Sequence, residues 1–175
     1  MRPIQITTAA LLAALSIQGC GNAQQDPAGE AASPPAQAVI DPCDLITRDD
    51  AAQLLGEPML EGERREEGRV GMTLCLYNPA DPDSLRFLQV SINQPGGASS
   101  GVSPAQIFRD IRDAMSDGRT DLDGLGDAAF IATGGIYVLQ GERMISIGGG
   151  NTSRPEVQAR LRSAAEIASG RLQQL

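Results

Sequence analysis

Three short runs near the C-terminal end are spaced so closely that only one arrangement joins them. Residues 129–133, 136–140 and 143–148 read as strands, and only Gly134-Gly135 and Gly141-Glu142 separate them. Strands joined by turns this tight must be antiparallel neighbours, because a parallel crossover needs a dozen or more residues. Two earlier runs alternate in the same way. Val70, Met72, Leu74 and Leu76 interleave with Gly71, Thr73, Cys75 and Tyr77. Arg86, Leu88, Val90 and Ile92 share one face of the next strand, with Phe87, Gln89 and Ser91 on the other. Asn78-Pro79-Ala80-Asp81-Pro82-Asp83 breaks the chain between them.

Helical signals punctuate these strands. Thr47-Arg48-Asp49-Asp50 places a capping Thr before a carboxylate at the third helical position. Ala51, Ala52, Leu54 and Leu55 give an apolar stripe, and Gly56 a stop. Ser103-Pro104-Ala105-Gln106 opens a second helix, with Ile107, Phe108, Ile111 and Met115 on one side and Gly118 at its end. Ser153-Arg154-Pro155-Glu156 caps a third, lined by Val157, Leu161, Ala164, Ala165, Ala168 and Leu172. Helix, strands, helix, strands, helix is an α+β order. It predicts one antiparallel sheet of about five strands, its apolar face covered by two or three helices.

What the chain lacks narrows its chemistry. None of its 175 residues is His or Trp, and all 14 basic side chains are Arg. Without His there is no Ser-His-Asp or Cys-His catalysis and no imidazole metal ligand. Without Lys there is no Schiff base and no phosphate-loop lysine. A net charge of -8, with no strongly basic stretch, argues against nucleic-acid binding. Carboxylate acid/base catalysis is the common enzyme chemistry left. Three Phe and two Tyr are too few for the stacking surface of a carbohydrate cleft. The expectation is a non-enzymatic chain with no cofactor.

The first 40 residues read as an address. Met1-Arg2 is a short positive start, and an apolar run from Ile6 to Leu15 follows, too short to span a bilayer. Ser16-Ile17-Gln18-Gly19-Cys20 resembles the lipobox of bacterial lipoproteins. That resemblance implies cleavage of residues 1–19 and lipidation of Cys20. Residues 20–40, rich in Ala, Gln, Gly and Pro, read as a tether that cannot bury enough surface to offset its ordering entropy. Gly21 rather than Asp after the Cys is similar to outer-membrane lipoproteins of diderms; in a monoderm the same signal means the outer face of the cell membrane. Residues 41–175 form the single globular domain. In an exported protein its two cysteines, Cys43 and Cys75, read as a disulfide. Two buried free thiols, or a metal pair without further ligands, are the other readings.

Asp41-Pro42-Cys43-Asp44-Leu45-Ile46-Thr47, with Ala51-Ala52 and Leu54-Leu55-Gly56, resembles the opening of a family of small bacterial lipoproteins of unknown function, best known from actinobacteria. Cys75-Leu76-Tyr77 and Gly124-Leu125-Gly126-Asp127-Ala128-Ala129 are similar to later motifs of that family. Tyr77 stands where Trp is more usual. The resemblance implies a secreted or anchored α+β domain with one disulfide, and no catalytic residues to carry over.

Four features remain as candidate sites. Asp121, Asp123 and Asp127, with Gly124 and Gly126, could ligate Ca²⁺, but they lack the EF-hand pattern, which favours a capped turn instead. The charge run at 61–69 is either a partner-docking hairpin or a solvated edge. Gly148-Gly149-Gly150-Asn151 precedes a helix, where anions can bind, but lacks the spacing of a phosphate loop. A carrier domain would instead place an apolar cavity among Val90, Ile107, Ile111 and Leu161. Envelope protein binding is the leading expectation, small-ligand carriage the alternative, and carboxylate hydrolysis a third. The membrane, through the lipid, and an envelope protein are the expected partners; oligomeric state is left open.

Overall fold

The computed structural model describes residues 38–68, 71–95 and 101–175, all within one unit of the chain, Pro35–Leu175. The leader, Cys20, nearly all of the tether, and Arg69 and Val70 lie outside the described residues. Every strand pairs antiparallel with its neighbours, as the tight turns require. The strands are β1 (Glu63–Glu67), β2 (Met72–Tyr77), β3 (Leu88–Asn93), β4 (Thr120–Leu122), β5 (Ala128–Ala132), β6 (Gly135–Gln140) and β7 (Arg143–Gly148). Their order in the sheet is β1-β2-β3-β7-β6-β5-β4.

Among the described residues seven strands replace the five expected, and the two extra ones are the edges. All five residues of β1 are exposed, so it has no buried face to impose alternation. The ladder from Glu63↔Leu76 to Glu67↔Met72 holds it, and Arg64–Glu66 and Arg65–Glu63 pair along it. Within the charge run at 61–69, Glu63–Glu67 is thus a charged edge strand, the form that resists edge-to-edge association. β4 is only three residues long.

Among the described residues the α-helices are α1 (Pro42–Leu45), α2 (Arg48–Leu55), α3 (Pro104–Ala114) and α4 (Pro155–Leu172), against the two or three expected. α1 is a single turn capped by Asp41, whose carboxylate accepts from the Cys43 N–H. At α2 the capping box forms: Thr47 accepts from the Asp50 N–H, and the Asp50 carboxylate accepts from the Thr47 N–H. Gly56 closes that helix at φ 75°. Ser103 caps α3, but Gln106 does not reach back; it bonds Asp110 and Arg109 instead. α3 stops at Ala114, short of Gly118. α4 starts without the Ser153 cap: its N-cap is Arg154 and no side chain caps it.

Alternation along the strands divides the apolar residues between two faces. Val90, Ile92, Ile136, Val138, Ile145 and Ile147 pack with Leu161, Ala164, Ala165 and Ala168 of α4 and with Leu45 and Ile46. Ile40 also belongs to this cluster. On the opposite face Phe108 of α3 meets Phe130, Ala132 and Met144. Phe130 stacks on Tyr137 at 4.8 Å between ring centroids. The hairpin from β5 to β6 turns at Thr133-Gly134, one residue earlier than expected, because Ala132 pairs with Gly135. A Cβ on Gly135 would lie 2.1 Å from the Ile147 carbonyl oxygen, so β6 must begin with a residue that has none.

Cys43 and Cys75 form a disulfide with their Cα atoms 5.2 Å apart, which sets aside the free-thiol and metal-pair readings. It ties α1 to β2. Closing a loop of 32 residues' separation contributes about 3–4 kcal/mol by the chain-entropy estimate.

Candidate functional site

The segment entering β3 and the segment leaving β7 come together at the start of α4. Gly149 permits it: a Cβ there would lie 3.0 Å from the Phe87 carbonyl oxygen. Gly150, at φ 103°, then turns the chain toward the helix. Between these segments and the first turns of α4 lies a hollow of about 250 Å³. Its lip is apolar and open: Leu85 is 94% exposed and Phe87 39%. Val157 backs it from α4.

Three guanidiniums line this hollow. Arg86 donates to the Leu55 carbonyl oxygen at 2.7 Å, and Arg154 pairs with Glu156 at 2.8 Å. Arg160, half-buried on α4, makes no ion pair with any described residue. Three cations against one carboxylate make this corner locally positive on a chain of net charge -8. A second hollow, about 480 Å³, lies between α2 (Gln53, Leu54) and α4 (Ala159, Ser163, Ile167) and shares Glu156 and Arg160 with the first. A third, about 420 Å³, joins Val39, Ile40 and Asp41 to Arg143 and Leu175.

The other candidates fare differently. Asp121 in β4 is met by Arg112 at 3.0 Å and Arg119 at 3.1 Å; the hydrogen bond from Arg112 is the main reason its carboxyl sits below the usual range. Asp127 accepts from the Gly141 N–H at 2.7 Å and so braces the β6–β7 turn. The Asp123 carbonyl oxygen accepts from Arg162. The Asp121 and Asp127 carboxylates thus serve ion pairs and a turn, and among the described residues no three His, Cys, Asp or Glu side chains are grouped as a metal ion needs. The expected carrier cavity is corrected as well. Val90 and Leu161 fill the core on the α4 face, whereas Ile107 and Ile111 pack on the α3 face, so the sheet separates them. Gly149, Gly150 and Asn151 do line a hollow, as their position before a helix allowed.

Leu85 and Arg160 carry the site, and sequence reasoning passed over both. Leu85 sits in an irregular segment, and Phe87 precedes β3 rather than lying within it. Arg160 lies on the polar side of an amphipathic helix, where arginines are ordinary. The one available signal was a Leu-Arg-Phe triplet beside the Pro-rich break at 78–83.

Among the described residues no helix is long and apolar enough to cross a membrane. Compared with models of protein families, with curated proteins and with solved structures, the chain matches none.

Proposed function

We propose that this protein is a lipid-anchored, non-enzymatic envelope lipoprotein whose domain holds a partner protein at the hollow beneath Leu85 and Phe87. Cys20 carries the lipid, and the tether sets the domain away from the membrane: the outer membrane, facing the periplasm, in a diderm, or the outer face of the cell membrane in a monoderm. The observation that carries the docking reading is the 94% exposure of Leu85 at the lip of a hollow that also holds Arg160. Burying one leucine side chain is worth about 1.5–3 kcal/mol, and arginine is enriched among the residues that carry interface energy.

The test places a photocrosslinking side chain at Leu85 of the full chain in membranes, and a control at Asp113 on exposed α3 surface. A discrete crosslinked species from position 85, absent from position 113, supports docking. Equal labelling at both positions, or none at 85, overturns it. The anchor has its own test: Cys20→Ser releases the protein from the membrane fraction, and a Cys20→Ser chain that stays with the membrane refutes lipidation there.

A further inference from the structure

We infer that the docked segment does not stop at the first hollow but runs past Arg160 into the second, so that one acidic, apolar-flanked stretch of the partner lies along α4. This rests on the docking reading above and names the chemistry of its occupant.

The two hollows meet at Glu156 and Arg160, which line both. Glu156, Arg160, Ser163 and Ile167 follow one another at spacings of four, three and four, and so form a single line on α4. From Glu156 to Ile167 that line is about 16 Å long at 1.5 Å per residue. An extended chain covers that length with about five residues at 3.3 Å each. Each end of the groove is apolar: Leu85 and Phe87 at one, Leu54 and Ile167 at the other. The middle is floored by short side chains, Ala159 and Ser163, with the Arg160 guanidinium beside them.

Charge decides the middle of the occupant. Glu156 is held by Arg154, and Arg160 pairs with no described carboxylate. A carboxylate supplied from outside would complete that pair, and a guanidinium takes a carboxylate through two parallel hydrogen bonds. The rest of a chain of net charge -8 repels acidic segments, which favours this corner as their landing place. The occupant is therefore an extended protein segment with one acidic residue between two apolar ones, spread over five to seven positions.

A phage library of random heptapeptides, panned on the immobilised full chain, tests this directly. The expected selection has one Asp or Glu with an apolar residue within three positions on each side. A synthetic peptide of the selected sequence should bind at least tenfold more weakly to Arg160→Glu, Arg160→Gln, Leu85→Asp and Ser163→Trp. It should bind Arg65→Glu, on the far β1 edge, as it binds the parent. Thermal melts of each variant confirm folding, and Arg160→Gln serves if the charge reversal disturbs α4. A selection without the acidic centre, or binding indifferent to both Arg160 variants, overturns the proposal. If Leu85→Asp abolishes binding while Ser163→Trp leaves it intact, the extension along α4 is wrong and docking at the first hollow survives. If Leu85→Asp is silent, the docking reading itself falls. Phosphatidylglycerol vesicles that displace the peptide with the same Arg160 dependence would assign the groove to lipid and also overturn it.

Discussion

Arg171, in the last turn of α4, donates to the Asp50 carboxylate at 2.5 Å and to the Leu45 carbonyl oxygen at 3.1 Å. The same carboxylate accepts from the Thr47 N–H and hydroxyl at the start of α2. Beneath it Tyr77 of β2 donates to the carbonyl oxygens of Ile46 and Cys43. One polar knot thus joins the end of α1, the start of α2, the end of α4 and the sheet, beside the Cys43–Cys75 disulfide.

The Asp50 carboxyl is the pH-sensitive part of this knot. Burial alone would raise it, but hydrogen bonds from Arg171 and Thr47 outweigh burial and hold it at about 2. A carboxyl depressed in the folded state stabilises fully above its unfolded value near 3.9 and loses that contribution as pH falls through the folded value. Asp50→Asn should therefore be about 1–2 kcal/mol less stable than the parent at pH 6, after discounting for solvent screening. The gap should close between about pH 4 and pH 2. Urea midpoints across that range measure it, and a gap independent of pH would refute the assignment.

Tyr77 tests the same knot without a charge. Burial, and then the Asp50 charge, push its phenol up to about 12, so it remains a donor at every ordinary pH. Tyr77→Phe leaves two carbonyl oxygens short of a donor and should cost about 1–3 kcal/mol. The loss should persist from pH 6 down to pH 2, in contrast to that of Asp50→Asn, and denaturant unfolding at both pH values distinguishes the two.

Removing the disulfide by Cys43→Ser with Cys75→Ser should cost about 3–4 kcal/mol. The parent under strong reductant should match the double variant in thermal melting. A reduced parent as stable as the oxidised one would show that the bond adds nothing to the fold.

Two glycines should respond in opposite directions. Gly135→Ala drives a methyl group into the Ile147 carbonyl oxygen of β7 and should destabilise by about 2–3 kcal/mol. Gly170 lies within α4 with nothing near its missing Cβ, so Gly170→Ala should stabilise by up to about 1 kcal/mol. Equal effects in differential scanning calorimetry would contradict the packing described for β6 and β7.

Features that depend on a few consecutive residues could be read before any coordinates. The α2 start is written in Thr47 and Asp50, its end in Gly56, and the β6–β7 turn in Gly141-Glu142, because each interaction closes within four positions. The α4 stripe survived for a related reason: its spacing repeats the helical period and its residues reached the core. Ser153 failed as a cap although its residue type fits, since N-cap geometry formed one position later, at Arg154.

Contacts between distant segments left no local mark. β1 needed a partner strand to become a strand, because five exposed charged residues carry no periodicity of their own. The pairing of β3 with β7, 55 residues apart at Ser91 and Ser146, was equally silent. So were the exposure of Leu85, the meeting of Gly149 with Phe87, and the reach of Arg171 to Asp50. Short-range hydrogen bonds and periodic burial are encoded where they act. Which loop faces which helix, and which side chains are left facing water, is settled only when the whole chain competes for the same interior.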